Sequence, residues 1–213
     1  REYTGDDSSY LSTGDTSTKM GYMFDGTLYA QNLAYVTPLI KNPQGPPLYN
    51  YLLTVYGHFP HVIDEHKRPR VVRMLSSFKD PQLERAANQF FHRSAAVATY
   101  VDGLLAIDPE SLIILVSDHV PPGQYGRKSY RKLAYLNNRA DNVHYNRILV
   151  IDRGKAKKYA TVHHYDVPAM ILNTLTDGAY CRERSCAFTA NRFVDDRRDR
   201  HEDYMRLMAH ASE

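Results

Sequence analysis

The stretch Ser111–His119, with the sequence SLIILVSDH, decides the fold that we predict for this chain. Its centre, Leu112–Val116, is a continuous apolar run of strand length. Such a run is typical of a strand that is covered on both faces in a parallel sheet. Asp118 and His119 follow at the carboxyl end of the strand, which is where open parallel sheets form their ligand sites.

Elements on both sides of this stretch alternate between helix and strand. Helical spacing of apolar residues predicts helices, and short aromatic or β-branched runs bounded by Gly and Pro predict strands. The predicted elements are a helix at Tyr29–Ile40, a buried strand at Leu48–Tyr56, a helix at Leu83–Ile107 begun by Asp80-Pro81, strands at Ser111–Ser117 and Arg147–Asp152, and a helix at Val167–Leu175. The alternation predicts an α/β fold with a largely parallel sheet flanked by helices.

Length and composition predict one sizeable domain within the 213 residues. We expect an irregular lead-in over residues 1–20, the domain itself over 21–190 and a charged helix or tail over 191–213. The net charge is only +3, and the basic residues of the tail are mixed with acidic ones, so nucleic-acid binding is not predicted. No apolar run approaches the roughly 20 residues that a membrane helix needs, and any membrane anchor is expected outside this chain.

Asp118 and His119 are the leading candidates for a metal site. A carboxylate and an imidazole presented at the end of a strand suit a divalent metal such as zinc or manganese. The structural alternative is that Asp118 caps the following turn and that His119 is an incidental loop residue. The spacing alone leaves both interpretations open.

His58 follows the predicted strand Leu48–Tyr56 in the same topological position. An imidazole there can donate a hydrogen bond to an anionic substrate oxygen or protonate a leaving group. The alternative is an ordinary loop histidine beside a proline turn. Three neighbours, His61, His66 and Arg68, lie in a charged loop and are predicted to be solvated.

The two cysteines, Cys181 and Cys186, enclose a short polar loop. This spacing favours a small disulfide formed in an oxidising compartment. Two free thiols or half of a zinc site are the alternatives, and the sequence has no second Cys or His pair with zinc-finger spacing.

Four segments match one family pattern in their order: Tyr49–Pro60 (YNYLLTVYGHFP), the helix at Leu83–Leu105, Ser111–His119 (SLIILVSDH) and Asp166–Leu172 (DVPAMIL). Over roughly residues 20–180, their order and spacing resemble the sulfatase-type catalytic domains of the alkaline phosphatase superfamily. The nearest resemblance is to bacterial lipoteichoic acid synthases and to phosphoglycerol or phosphoethanolamine transferases.

Two short motifs that contain the candidate site residues also match the family. His58-Phe59-Pro60 matches the family's His-hydrophobe-Pro step, and Asp118-His119 matches the first two residues of its D-H-G metal motif. The third residue of that motif is Val120 here instead of glycine. The resemblance implies that Asp118 and His119 hold zinc or manganese, and that His58 binds the substrate or assists the leaving group.

The function implied by the resemblance is that of a metal-dependent transferase, of which this chain is the C-terminal part. Such an enzyme moves a phosphoglycerol or phosphoethanolamine head group through a covalent phosphothreonine. The family's nucleophile and an acidic metal ligand lie upstream of the His motif, so we expect the N-terminal part of the domain to be missing and this chain to be inactive by itself. The implied partners are a lipid-linked head-group donor and a glycan or lipid acceptor, at the periplasmic face of the inner membrane or outside the cell.

Two other functions remain open. A sulfuric ester hydrolase is the first, because sulfate and phosphate esters share a tetrahedral anionic geometry. The second is a non-catalytic α/β domain whose metal site has decayed, and the departure at Val120 favours it. A serine hydrolase of the α/β-hydrolase type is excluded, because the sequence lacks a Gly-x-Ser-x-Gly elbow.

Overall fold

The computed structural model describes residues 15–17, 21–135, 145–184 and 186–190, together with residues 202, 205, 206 and 209. The chain divides into two compact units, Arg1–Ala156 and Lys157–Glu213. The predicted body over 21–190 spans both units. The predicted lead-in over 1–20 and the predicted tail over 191–213 lie almost entirely outside the described residues.

The predicted helices and two of the three predicted strands are present. The first unit contains α1 (Asp25–Ile40), α2 (Pro81–Ile107), β1 (Leu112–Val116), α3 (Arg127–Lys132) and β2 (Ile148–Asp152), and β3 (Lys155–Lys157) lies at its boundary with the second. The second unit contains a 3₁₀ helix (His164–Asp166), α4 (Val167–Leu175), α5 (Ala179–Arg184) and a second 3₁₀ helix (Ala187–Ala190).

Helix α2 begins where the sequence predicts. The Asp80 carboxylate caps it by accepting hydrogen bonds from the backbone N–H groups of Gln82 (3.1 Å) and Leu83 (3.0 Å). Pro81 occupies the first helical position, where its missing N–H costs nothing. Asp80 is completely buried, so this cap belongs to the interior of the unit as well as to the helix.

Helices α1 and α2 pack against each other to form the core of the first unit. The buried apolar side chains of the first unit are Phe24, Val36, Tyr56, Leu83, Ala86, Tyr100, Val101, Ile113 and Val150. A polar network crosses the same interface: the Tyr100 hydroxyl donates to Asn32 Oδ1 (2.5 Å), and Asn50 Nδ2 donates to the same oxygen (2.9 Å). The network ties the segment around Asn50 to both helices.

The prediction of a largely parallel sheet is wrong. The sheet has three strands in the order β1-β2-β3, and β1 and β2 are antiparallel, with Ile114 opposite Val150. A parallel return needs a crossover that covers a face of the sheet, generally an α-helix. In the described part of this connection the helix is α3, whose six residues RKSYRK are mostly charged, and the chain returns beside β1 in the opposite direction. The fold is therefore a mixture of helices with a small antiparallel sheet.

The segment Leu48–Tyr56, predicted as a buried strand, belongs to no strand of the structure. Alternate side chains point to solvent, and Tyr49, Tyr51 and Leu53 are 77%, 72% and 67% exposed. Only Tyr56 at its end is fully buried. The residue pattern has the period of a strand, but a strand also needs a hydrogen-bonded neighbour, which the sequence of one segment does not specify.

The second unit has a small apolar centre made by Met170, Cys181 and Phe188. Cys181 and Cys186 form a disulfide with a Cα–Cα distance of 5.0 Å. The side chain of Asn173 in α4 accepts a hydrogen bond from the Cys181 backbone N–H (3.0 Å), which joins α4 to α5. Across both units, no helix among the described residues is long and apolar enough to span a membrane.

Candidate functional site

Asp118 and His119 lie just beyond the end of β1 and face solvent. Their side chains are 91% and 64% exposed, respectively. The His119 Nε2 atom is 3.4 Å from Asp118 Oδ2, so the structure brings the carboxylate and the imidazole together. The pair is open to a ligand from outside.

A backbone carbonyl selects the tautomer of the neutral His119 ring. Its Nδ1 atom is 2.9 Å from the carbonyl oxygen of Val120. A carbonyl can only accept a hydrogen bond, so Nδ1 carries the proton and Nε2 of the neutral ring holds the lone pair. That lone pair belongs to the nitrogen beside Asp118, and a ring N–H bonded to a carbonyl is the usual way in which a metal-binding histidine is oriented.

The distance between the two side chains can be compared with that between neighbouring ligand atoms of a tetrahedral metal site. With metal–nitrogen and metal–oxygen distances of about 2.0–2.1 Å, neighbouring ligand atoms are about 3.3–3.4 Å apart. The separation of Asp118 Oδ2 and His119 Nε2 has this value. No group of three or more His, Cys, Asp or Glu side chains placed to hold a metal was found among the residues that the structure describes.

The chain on both sides of the pair is held by polar contacts. Asn146 Nδ2 donates to the Asp118 carbonyl, and the Ser117 hydroxyl donates to the Arg147 carbonyl (3.1 Å) beyond the last rung of the β1–β2 ladder. These contacts extend the pairing of the two strands to Asp118. The backbone of the carboxylate residue is therefore fixed, although its side chain is exposed.

The loop that follows His119 is anchored by the residue that caps α2. Asp80 Oδ2 accepts hydrogen bonds from the Gln124 backbone N–H (2.9 Å) and from the Ser129 hydroxyl. Gly123 passes close to both, since a Cβ at this position would lie 2.6 Å from Ser129 Cβ and 3.1 Å from Asp80 Oδ2. The sequence predicted Asp80 as a helix start and gave no sign of this second role.

His58 lies in an exposed turn with a well-defined backbone. Its N–H donates to the Val55 carbonyl (2.9 Å), and its carbonyl accepts from the His61 N–H (3.2 Å). Its ring Nδ1 is 2.8 Å from the carbonyl of Phe59, which places a proton on Nδ1 and, in the neutral ring, the lone pair on Nε2, as in His119. The side chain that the sequence singled out is thus oriented and accessible.

The prediction that His61 is solvated is wrong, because only 2% of it is exposed. Its Nδ1 lies 3.0 Å from Gln89 Oε1, and its backbone φ of 58° lies in the left-handed region. Burial lowers the pKa of His61, the hydrogen bond to Gln89 opposes this, and the positive charges of Arg85 and Arg93 add to the lowering. The backbone direction after His58 turns the ring inward, which no local pattern reveals.

Arg68 was also predicted to be solvated, and the structure corrects this in part. Its guanidinium carbon lies 4.2 Å from the centre of the Phe24 ring, and its side chain is 29% exposed. It also faces Asp15 across 3.5 Å. The third residue of that prediction, His66, is exposed as expected.

Two glutamines of α2 hold the two loops. Gln89 Nε2 donates to the carbonyls of Tyr56 and Val62 (3.0 Å each), which bracket His58 in the chain. Gln82 Nε2 donates to the carbonyl of Pro122, in the loop after His119. Sequence reasoning missed both residues.

The spacing of these glutamines places the two loops on one side of α2. Residues seven apart in an α-helix differ by only about 20° in direction and by about 10.5 Å along the axis. Gln82 and Gln89 therefore bind the backbone of both loops from the same face, two turns apart. This spacing was the only signal in the sequence, and it is a weak one because exposed glutamines are common on helices.

No family model, curated protein or solved structure matches this chain.

Proposed function

We propose that this chain supplies the metal pair and the substrate histidine of a metal-dependent transferase that moves phosphoglycerol or phosphoethanolamine head groups. The supporting observation is that one face of α2 holds both the loop of His58 and the loop that follows Asp118-His119. The order of the sequence motifs, which resembles that of sulfatase-type transferases, gives the proposal its reaction class.

Asp118 and His119 are assigned to the metal. The carboxylate oxygen and the Nε2 lone pair suit zinc or manganese in chemistry and separation. A bound divalent ion lowers the pKa of a coordinated nucleophile and neutralises charge that builds up on phosphoryl oxygens. The Val120 carbonyl holds the His119 ring in the tautomer that ligation needs.

His58 is assigned to the substrate. With Nδ1 bonded to its neighbour's carbonyl, Nε2 accepts a proton when the ring is neutral and donates one when it is charged. It can therefore donate to a phosphoryl oxygen, or protonate the departing head-group alcohol. The threonine that carries the covalent intermediate in this proposal is assigned to no residue of the chain.

The partners and location follow from the reaction class. The donor would be a lipid-linked phospho head group, and the acceptor a hydroxyl of a glycan or a lipid. The reaction would take place outside the cytoplasm, at the periplasmic face of the inner membrane or in the extracellular space. The Cys181–Cys186 disulfide supports this location, because such bonds persist in oxidising compartments.

A non-catalytic domain is the second candidate, and one observation favours it. In the structure the Asp118 and His119 side chains lie 3.4 Å apart in solvent, a separation that two neighbouring surface side chains also reach without a metal. Val120 in place of the family's glycine also fits a site that has lost its metal. The experiment below separates the two candidates.

The test is titration of the 213-residue chain with Zn²⁺ and with Mn²⁺ by isothermal calorimetry. Asp118→Asn and His119→Gln should each weaken binding at least about tenfold, which is the low end of the effect of losing even an outer partner of a metal ligand. Matched variants of exposed residues elsewhere, Asp102→Asn and His66→Gln, should bind as the wild type does. Equal binding by all five proteins, or none by the wild type, would favour the non-catalytic domain.

A second titration addresses the substrate. Glycerol phosphate and inorganic sulfate are added in turn to the zinc-loaded chain, and the ring resonances of His58 are followed by NMR. The proposal expects a shift of the His58 signals with glycerol phosphate at lower concentration than with sulfate. Preference for sulfate would replace the transferase with a sulfuric ester hydrolase.

A further inference from the structure

Arg93 of α2 lies directly beneath the residue that precedes His58. A Cβ atom built on Gly57 would lie 1.7 Å from Arg93 Nη1 and 2.6 Å from its Cζ, far inside any real contact. The guanidinium group therefore occupies the volume that a side chain at position 57 would need. A side chain at position 57 would therefore have to displace this guanidinium, which lies against the backbone just before His58.

Two hydrogen-bond partners, of which Asp25 is buried, hold this guanidinium in place. Arg93 Nε donates to Asp25 Oδ2 (2.6 Å), and Nη2 donates to the Thr54 hydroxyl (2.8 Å). Asp25 is only 2% exposed, whereas the Arg93 side chain is 29% exposed. A charge-assisted bond to a buried carboxylate is stronger than a neutral one, and the planar guanidinium fork fixes direction as well as distance. The group is thus a rigid support.

Gln89, one helical turn before Arg93, holds the chain on either side of the same turn. Its bonds to the Tyr56 and Val62 carbonyls fix the two ends of the segment that contains His58. Gly57 rests on Arg93 between them. Two side chains at i and i+4 on one helix thereby hold the backbone that carries the His58 imidazole.

We propose that Arg93, fixed by Asp25, is the positioning residue for His58. It acts through the backbone of Gly57 and touches no substrate. A role of Arg93 in a reaction rests on the proposed function, in which His58 binds the substrate. Its effect on the His58 ring can be measured without any reaction.

The first experiment compares Gly57→Ala and Arg93→Lys with the wild type in the full chain. The ¹⁵N shifts of the two His58 ring nitrogens report which one carries the proton. The wild type should show the Nδ1–H form, and both variants should move toward a mixture of tautomers as the turn loosens. Arg93→Lys keeps the charge beside Asp25 and is expected to fold; far-UV circular dichroism checks this for each variant.

The control is Gly26→Ala, at a glycine of α1 that lines the same small cleft as Arg93. A Cβ there would make an ordinary contact of 3.6 Å with Ala96 Cβ. This variant should leave the His58 shifts unchanged. Wild-type shifts in both folded test variants, or an equal change in Gly26→Ala, would overturn the positioning role.

A double variant tests whether the two changes act through one contact. If Gly57→Ala works by displacing the guanidinium, adding it to Arg93→Lys should change the His58 shifts little further, because contacting residues are not additive. Two full and independent changes would show that Gly57 matters for another reason and would contradict the proposal.

The link to substrate is measured separately with glycerol phosphate. If wild-type His58 responds to it, both variants should weaken the apparent affinity roughly 10- to 100-fold, as expected for a misplaced group. An unchanged affinity would remove the functional part of the inference. If wild-type His58 does not respond at all, the proposed function fails, while the ring-nitrogen measurement still decides whether Arg93 positions His58.

Discussion

The two loops that carry the candidate histidines are held in different ways. The loop of His58 is clamped against α2 by Gln89 on both sides of the exposed ring. His119 stands in solvent at the end of β1 beside Asp118, and its loop is anchored further along, through Asp80. In both loops the residue suited to chemistry is exposed, and the stabilising contacts belong to buried polar neighbours. The residues proposed for chemistry are therefore not the ones that stabilise the two loops.

The largest effect is expected at Asp80, whose carboxylate serves both α2 and the loop after His119. Asp80→Ala removes a helix cap and leaves the Gln124 N–H and the Ser129 hydroxyl without their acceptor. We expect a loss of about 3 kcal/mol in the free energy of unfolding, combining the cap with buried hydrogen bonds to a charged group. Urea denaturation followed by far-UV circular dichroism measures it. Asp102→Ala, at an exposed site of the same helix, should change little, and an equal loss there would refute the role of Asp80.

A smaller effect is expected at Gln89. Gln89→Leu keeps the approximate size of the side chain but leaves the carbonyls of Tyr56 and Val62, and the ring of His61, without their partner. We expect a loss of about 2 kcal/mol, since buried groups left unpaired cost about 1–3 kcal/mol. Gln82→Leu breaks one bond at a less buried site and should cost clearly less. The reverse order would show that the His58 loop is not the more firmly held of the two.

Acid should weaken the clamp through His61. Burial lowers the folded-state pKa of this ring below its ordinary value of 6.5, so the unfolded chain binds the proton more readily. Stability should therefore fall as the pH drops below about 6.5, and level off once the pH is below the folded-state pKa. Arg85, Arg93 and His58 are the positive or titrating groups that act on it.

The variant that removes this titration is His61→Asn. Asparagine tolerates the left-handed backbone at this position and offers an amide N–H in place of the ring Nδ1–H. Urea midpoints measured between pH 5 and 8 should fall less steeply toward acid in this variant than in the wild type, whereas the exposed His66→Asn should follow the wild type. Identical slopes in all three proteins would assign the acid sensitivity to other groups.

The smallest effect on stability is expected at the Asp118–His119 pair. Asp118→Ala and His119→Ala remove exposed side chains whose mutual contact is screened by water, so the free energy of unfolding should stay within about 0.5 kcal/mol of the wild type. The same urea experiment checks this. A loss comparable to that at Gln89 would mean that the pair is structural, and would erase the contrast between the loops.

The sequence predicted elements whose signals are local. Helix α2 carries its own cap and apolar spacing, and β1 its own apolar run, so both were placed within two residues of their ends. The direction of β2 against β1 was not predictable, because an apolar run does not specify its neighbour. For the same reason Leu48–Tyr56 has the pattern of a strand without belonging to one.

The residues of the candidate site also differ in whether the local sequence could predict them. Asp118, His119 and His58 were predicted as candidates from residue type and position in the chain. The supporting residues, such as Gln89 and Arg93, are long polar side chains that usually face solvent, and their burial depends on which loop crosses the helix above them. A loop backbone needs hydrogen-bond partners wherever it is buried. Which side chains provide them depends on the folded position of the loop, so the sequence does not reveal them.

The hydrogen bonds that the Asp80 carboxylate accepts also couple the local opening of two distant segments of the chain. Its single carboxylate is the acceptor for amides of Leu83 and Gln124, which are far apart in the chain. A fluctuation that releases this side chain exposes both amides together, so their hydrogen exchange should share one opening equilibrium. We therefore expect the segment beyond His119 to become ordered together with the first turn of α2 and to open when that turn frays.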